Sequence, residues 1–163
     1  MKPILFEESG YYTGPDLTDV MVEEAEQFLG YSLPRSYVNL LRLRNGGTPR
    51  DRCFMTEFPT SWAPDHIEIA GIRGVGGVWG IQTEGPLSSR AMIGEWGYPD
   101  IGIVVCDMPS GGHDAVMLDY SRPGQEPAVT YIDEDRAPRV IAGTFEAFVD
   151  GLVKCRNEVA SGA

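Results

Sequence analysis

Apolar residues run at strand length twice in the middle of the chain, within EWGYPDIGIVVCDMPSGGHDAVMLDY at residues 95–120. Residues 101–106 form the first run and residues 115–120 form the second. The break between them, MPSGGH, holds proline and glycines, which preset φ or permit positive φ, so the chain should reverse there. The pattern predicts a β-hairpin in which Val116 and Leu118 face the core, because side chains alternate with a period of two.

Two helices are predicted near the N-terminus. Thr18 is a suitable N-cap for a helix with apolar residues at helical spacing, and Gly30 should end that helix. Pro34 then starts a second helix, and the Asn45-Gly46-Gly47 segment supplies residues for a left-handed C-terminal cap. The two helices should pack together as a hairpin.

Further strands and a third helix follow. Residues 53–58 hold a short strand, residues 66–72 a second strand and residues 128–133 a third, which extends the hairpin into an antiparallel meander. Residues 88–92 predict one helical turn. Thr144 caps a C-terminal helix that should cover one face of the sheet. Its apolar positions are Phe145, Phe148, Val149, Leu152 and Val153.

Two segments predict irregular structure. The glycine-rich GIRGVGGVWG at residues 71–80 lacks the Lys-Ser/Thr pair of a phosphate-binding loop, so it predicts tight turns. The tail NEVASGA at residues 157–163 is expected to fray.

The length of 163 residues suits a single domain, residues 1–163, with a sizeable core. No apolar run approaches the roughly 20 residues that cross a bilayer, and the opening MKPILFEESG lacks the apolar region of a signal peptide. We therefore expect a soluble, cytoplasmic protein with no membrane partner. The three cysteines are widely spaced without a Cys-x-x-Cys pair, which predicts free thiols and no disulfide.

The net charge of −11 argues against nucleic acid as a partner, because a phosphate backbone is bound by lysine and arginine. Acids concentrate in two segments: residues 1–34 hold seven acids and one lysine, and residues 107–135 hold seven acids and one arginine. Such surfaces speed encounter with cationic partners, although they also simply keep a protein soluble. The charge therefore favours a protein partner with a basic surface.

Polar residues accompany the predicted hairpin although its strands look buried. Ionised carboxylates at the edge of a core are costly unless they are paired or solvated, so we expect a polar groove there. The alternative for Asp107 and Asp114 is that they cap the loop through Asx-type hydrogen bonds. The alternative for Trp96 and Tyr98 is that they are ordinary core or turn residues. The candidate partner-binding residues are Glu95, Trp96, Tyr98, Asp100, His113, Asp114 and Asp119.

Catalysis is the competing interpretation. A metal-assisted hydrolase could use His113 with Asp107, Asp114 or Asp119, because imidazole and carboxylates suit several divalent ions. The sequence has no Gly-x-Ser-x-Gly elbow, and a Ser110/His113 spacing of three implies no particular geometry. We expect no enzyme activity, no metal and no cofactor. His113 itself should either anchor a partner or hydrogen-bond backbone groups of the MPSGG loop.

Three motifs occur together in a family order. LGYSLPRSYVNLLRLRNGG, EWGYPDIGIVVCDMPSGGHDAVMLDYSRPGQEPAVTYIDED and IAGTFEAFVDGLV resemble the motifs of the SUKH superfamily, the Smi/Knr family of bacterial immunity proteins and fungal cell-wall-synthesis regulators. The resemblance spans about residues 18–153.

The resemblance implies an α+β fold, with a curved, mainly antiparallel sheet and two N-terminal helices and one C-terminal helix packed around it. It also implies a non-catalytic role. Bacterial relatives bind and neutralise a toxin, often a nuclease, of a polymorphic or contact-dependent system, whereas the fungal relatives suggest a scaffold that regulates endogenous proteins.

Overall fold

The computed structural model describes residues 1–156, and the tail expected to fray lies outside them. These residues form an α+β fold with four helices and two antiparallel sheets. None of the helices in this range is long and apolar enough to cross a membrane. In chain order the elements are α1 (Asp19–Leu29), α2 (Arg35–Leu43), β1 (Cys53–Met55), β2 (His66–Glu68), β3 (Gly71–Ile72), α3 (Ser89–Trp96), β4 (Gly102–Asp107), β5 (Ala115–Asp119), β6 (Ala128–Ile132), β7 (Pro138–Ala142), α4 (Phe145–Gly151) and β8 (Leu152–Val153).

The N-terminal helices begin where the sequence predicts. The Thr18 hydroxyl accepts a hydrogen bond from the Met21 amide at 3.2 Å, and Gly30 ends α1 in the left-handed conformation at φ 79°. The predicted left-handed cap of α2 is wrong, because Arg44 already leaves the helix in an extended conformation. The Asn45 side chain is used elsewhere: its amide nitrogen donates to the carbonyls of Pro15 and Val75.

The predicted hairpin is confirmed as the centre of a five-stranded antiparallel sheet with the order β3-β4-β5-β6-β7. Val116 and Leu118 face the main core, as expected, where they pack with α1, α2 and α4. Ala115 and Met117 on the opposite face are buried as well. Helix α3, which is longer than the single turn predicted, covers that face and accounts for their burial.

The strand predicted over residues 66–72 is divided between two sheets. Residues 66–68 form β2, which pairs with β1, while residues 71–72 form β3, which pairs with β4. The small sheet has the order β2-β1-β8, so the antiparallel strands are divided between two sheets within the expected α+β fold.

The C-terminal helix is shorter than predicted. It ends at Gly151, where an added Cβ would lie 2.4 Å from the Phe54 ring, and Leu152 then pairs with Phe54 as part of β8. The close approach of the Phe54 ring favours glycine at this position, where the chain leaves α4 and enters the small sheet. The apolar spacing that suggested a longer helix therefore continues into a strand.

The expectation of no disulfide is also wrong, because Cys53 and Cys155 are bonded. Strand β8 pairs Val153 with Cys53, which brings Cys155, two residues later, beside β1. The Cα atoms are 5.1 Å apart, within the range of disulfides. Their sequence separation of 102 residues hides this proximity. Cys106 remains a free, buried thiol, as predicted.

After β3 takes its first two residues, the rest of the glycine-rich segment is confirmed as turns and irregular backbone, and it carries a fully buried arginine, Arg73. The Arg73 guanidinium forms a two-pronged ion pair with Asp107, with nitrogen–oxygen distances of 2.7 and 3.2 Å. It also donates to the carbonyls of Trp79 and Leu87. Arg73 thus ties the turns of this segment to the end of β4.

Candidate functional site at the end of the hairpin

The loop between β4 and β5 lies against the last residue of α3. Gly111 and Gly112 have φ values of 72° and 112°, which glycine adopts without strain. A Cβ on Gly112 would lie 2.9 Å from the Trp96 indole, so the ring rests directly on the loop backbone. Trp96 nevertheless keeps 39% of its surface exposed.

Tyr98 and Arg136 hold this loop from beneath. The buried Tyr98 hydroxyl donates to the carbonyl of Gly112 at 2.5 Å, and the Arg136 guanidinium lies 4.8 Å above the Tyr98 ring. Arg136 donates to the carbonyls of His113 and Trp96 at 2.6 and 3.1 Å. Burial raises the pKa of Tyr98 to about 12, so the phenol remains a hydrogen-bond donor. Tyr98, predicted as a partner contact, is placed as a support for the loop.

Asp114 lies under the loop with only 4% of its surface exposed. Its carboxylate accepts hydrogen bonds from the hydroxyls of Ser110 and Tyr131, the latter at 2.7 Å. Burial raises the pKa of Asp114, while these two hydrogen bonds oppose the rise. The carboxylates of Asp114 and Asp107 therefore have other partners than the Asx-type caps considered from sequence. Asp114 accepts from two hydroxyls, and Asp107 pairs with Arg73.

His113 is exposed, and its ring makes no hydrogen bond with any residue in the described range. The predicted structural role for its ring nitrogens is therefore wrong. The ring instead meets Trp62 edge to face, with centroids 6.1 Å apart. Only the backbone of His113 contributes to the loop, through its carbonyl and Arg136.

Trp62 is a candidate residue that the sequence analysis missed. It is 52% exposed and lies in the loop between β1 and β2, where Asp133 accepts a hydrogen bond from the adjacent Ser61 amide at 2.9 Å. The surrounding prolines at 59 and 64 give no periodic pattern. A lone tryptophan in a polar, proline-containing loop was the one available signal.

The candidate acids do not all lie together. Glu95 is exposed beside Trp96 on α3. Asp119 pairs across the sheet with Gly102, at the opposite end of β4 and β5 from His113, and Asp100 lies just before β4 at that same end. Five residues of extended β5 separate the two ends by roughly 17 Å. Asp119 accepts a hydrogen bond from the Ser121 amide at 2.9 Å, which is an Asx turn.

We call the surface formed by Trp62, Glu95, Trp96 and His113 the hairpin-end surface. A cavity of about 240 Å³ opens beside Trp62 and reaches Asp114, and a cleft of about 180 Å³ beside Trp96 reaches Asp114 from the other side. The surface thus combines two exposed indoles with the exposed Glu95, beside a loop that is held by hydrogen bonds to Tyr98 and Arg136 and that carries the buried Asp114.

Within the part of the chain that the structure describes, His113 and the nearby aspartates do not form the ligand cluster that a metal-assisted hydrolase would need. Across residues 1–156, the one group of three ligand-type side chains with atoms within 4.8 Å is Cys53, Glu68 and Cys155, and its two sulfurs are joined. His113 and the neighbouring carboxylates form no such group. Burial raises the pKa of the remaining thiol, Cys106, which keeps it protonated and unreactive.

Comparison with known proteins agrees with the fold and the motifs. The model of the SMI1 / KNR4 family (SUKH-1) matches residues 16–151, which is most of the chain. That family includes immunity proteins. No curated protein matches the chain. On the family match and the α+β architecture, the chain belongs to the SMI1/KNR4 family (SUKH-1).

Proposed function

We propose that this chain is a non-catalytic binding protein, an immunity protein that neutralises a cognate toxin of a polymorphic or contact-dependent system. The observation that carries the proposal is the hairpin-end surface, where Trp62 in the β1–β2 loop and Trp96 at the end of α3 remain exposed beside the anchored β4–β5 loop. Tryptophan is enriched among the residues that dominate the energetics of protein interfaces. Family membership supports the same role, because the family includes immunity proteins.

The partner should present a basic surface to this protein. The net charge of −11 favours encounter with cationic proteins, and nucleases carry cationic surface because they bind phosphate backbones. A nuclease toxin therefore fits the charge of this chain, which is itself unsuited to nucleic acid. Binding would occlude the toxin's basic surface without any chemical step.

The contact residues in this proposal are Trp62, Glu95, Trp96 and His113, with Asp114 beneath them. Tyr98 contributes by holding the loop, because its hydroxyl is committed to the Gly112 carbonyl. Asp100 and Asp119 form the acidic margin at the far end of the hairpin, where they would act by charge.

We place the protein in the cytoplasm, where a nuclease toxin would meet its nucleic acid. The cytosol keeps most thiols reduced, so the Cys53–Cys155 bond would there be open or resistant to reduction. Binding at the hairpin end requires neither cysteine. Counting free thiols in protein from freshly lysed cells distinguishes the two states.

Coexpression with the toxin genes encoded beside this one tests the proposal. The chain should restore growth and co-purify with one of those toxins. Failure to do either with every neighbouring toxin would contradict the proposed function. Capture of endogenous host proteins in the absence of toxin would support the regulatory scaffold in its place.

Matched variants locate the interface. Trp96→Ala should weaken binding by at least about 2 kcal/mol, the usual loss at an interface hot spot, and His113→Ala should weaken it less. Because the His113 ring is exposed and makes no hydrogen bond within residues 1–156, His113→Ala should change stability by less than about 0.5 kcal/mol. Leu43→Ala, an exposed apolar position on α2, is the control and should leave binding unchanged.

A further inference from the structure

The cavity beside Trp62 has a composition suited to one kind of side chain. Its volume is about 240 Å³, and it is lined by Trp62, Ile67, Glu68, Pro109, Ser110 and Asp114. This is smaller than the roughly 300–1,000 Å³ of sites for drug-sized ligands, so a single protein side chain is a better match for its size.

The base of the cavity carries a carboxylate without a cationic partner. Asp114 is 4% exposed and accepts hydrogen bonds from two neutral hydroxyls, those of Ser110 and Tyr131. Within residues 1–156 no lysine, arginine or histidine donates to it. A buried carboxylate bonded by neutral groups alone gains most from an incoming cation, because surrounding water cannot screen the attraction.

The neighbouring Arg136 does not fill this role. Its guanidinium donates to the backbone carbonyls of Trp96, His113 and Asp133 and lies over the Tyr98 ring. Arg136 is near enough to act on the charge of Asp114, but its hydrogen bonds go to these carbonyls and none goes to the Asp114 carboxylate. The carboxylate therefore remains available from the cavity.

The rim and walls suit the rest of a basic side chain. Glu68 offers an exposed carboxylate, which is paired with the surface residue Arg52 at 3.1 Å, a type of contact that is easily exchanged. Ile67 and Pro109 provide apolar walls for a hydrocarbon stem. The exposed Trp62 indole offers a π-face to a passing cation.

We propose that this cavity, which we call the Trp62 pocket, takes a single lysine or arginine side chain of the partner protein, with its charged end at Asp114 and its stem against Ile67 and Pro109, beside the Trp62 indole. The identity of that partner as a toxin rests on the proposed function. The pocket's preference for a basic side chain does not, and it can be tested without any toxin.

The test is a titration of the ¹⁵N-labelled protein, followed by NMR, with three peptides: Ac-Gly-Lys-Gly-NH₂, Ac-Gly-Arg-Gly-NH₂ and the neutral norleucine analogue. The two basic peptides should shift the Trp62 indole N–H and the Ser110 and Asp114 amides, and the stronger of the two identifies the preferred side chain. The norleucine peptide should bind at least about tenfold more weakly, because it lacks the charge-assisted hydrogen bond. Equal shifts with the neutral peptide, or no shifts at these residues with either basic peptide, would overturn the proposal.

Variants separate the pocket from the rest of the acidic surface. Asp114→Asn keeps the side-chain shape and should weaken binding of the preferred peptide by about tenfold. Trp62→Ala should weaken binding of the same peptide by about threefold, and the shift of the Ser110 amide measures it because the indole is gone. Glu84→Gln removes one exposed acid outside the pocket and should leave binding unchanged. If Asp114→Asn disturbs the fold, Glu68→Gln and Trp62→Ala, both at exposed positions, still test whether the basic peptide binds in the Trp62 pocket. Binding that Glu84→Gln weakens as much as Trp62→Ala would show a diffuse charge effect and refute the pocket.

Discussion

At the scale of single residues, Arg73 has the most demanding environment in the described chain. Its side chain has no exposed surface, and the Asp107 side chain paired with it is 15% exposed. Removing two charges from water is costly, so such a pair is tolerated when the geometry is good and the remaining donors are satisfied. Arg73 meets both conditions through Asp107 and the carbonyls of Trp79 and Leu87.

Arg73→Met should therefore lower the free energy of unfolding by about 3–5 kcal/mol, because it leaves the Asp107 carboxylate without its counterion. Urea unfolding at pH 7 measures the loss. The double variant Arg73→Met/Asp107→Leu should recover part of it, since no unpaired charge remains. If Arg73→Met lowered the free energy of unfolding by less than about 1 kcal/mol, Asp107 would not depend on Arg73 as its counterion.

Asp133 supports the Trp62 loop, and its contribution should depend on pH. Burial acts to raise the pKa of Asp133, but hydrogen bonds from Ser61 and from the Glu134 amide outweigh it and lower the pKa below 3.8. The folded state thus holds the proton less tightly than the unfolded state. The stabilisation is present above pH 3.8 and is lost as the pH falls through the folded pKa.

Asp133→Asn should lower the free energy of unfolding by about 1–2 kcal/mol at pH 7. This difference from the wild type should become smaller as the pH falls below about 4. Urea unfolding of both proteins between pH 7 and pH 2 gives the comparison. Glu134→Gln, at the adjacent exposed position, serves as the control and should show no such gap. If the difference in free energy of unfolding widened in acid, the pKa of Asp133 would be raised in the folded state and not lowered.

Sequence patterns identified some of the candidate residues and missed others for a physical reason. His113 lies in a loop that proline and glycine mark clearly, and Trp96 comes shortly before the apolar run of β4, so both could be assigned to the neighbourhood of the hairpin. Trp62 and Arg73 act through contacts with residues far along the chain, at 113 and 107, and no local period reports such contacts. The separation of Asp119 from His113 also required the strand register.

At the scale of elements, the strongest periodic patterns were the most reliable. Helices α1 and α2 and strands β4, β5 and β6 were predicted close to their observed bounds. Strand β7 was missed because it is an edge strand that begins at an exposed proline and is only partly buried. Strand β8 was read as helix because its two residues continue the apolar spacing of α4. Tertiary packing decided both cases.

The attachment of β8 to β1 provides a test at this scale. The Cys53–Cys155 bond closes a long loop, with a sequence separation of 102 residues, and such a bond restricts the unfolded chain. Reduction should lower the free energy of unfolding by about 2–5 kcal/mol. Thermal unfolding with and without a reducing agent measures the change.

Cys155→Ser provides the matched control. It should resemble the reduced wild type and should not respond to reducing agent. Denatured, unreduced wild type should show one free thiol, that of Cys106. Three free thiols in that sample would show that the bond does not form.

At the scale of the whole molecule, the charge of −11 acts over distances longer than any single contact. The screening length is about 10 Å at 0.1 M salt, so attraction to a basic partner should weaken as salt is added. The association rate with the toxin should fall by about tenfold between 0.05 and 0.5 M salt, while the dissociation rate changes little. Stopped-flow mixing measures both rates.

A double variant separates steering by charge from direct contact. Glu23→Gln/Glu24→Gln removes two exposed acids on α1, outside the hairpin-end surface. It should slow association modestly without changing dissociation. An association rate that does not respond to salt would exclude steering by the net charge.

The positions of the tryptophans have an optical consequence. The sequence contains three, and Trp79 packs against the rings of Tyr11 and Tyr12, with centroids 4.7 and 5.0 Å away. Trp62 and Trp96 are the two with large exposed areas, and both belong to the hairpin-end surface. A partner that covers this surface would shift their emission to shorter wavelength and shield them from acrylamide, while Trp79 supplies a constant background. The unlabelled protein therefore carries its own fluorescent reporter at the surface that we propose for binding.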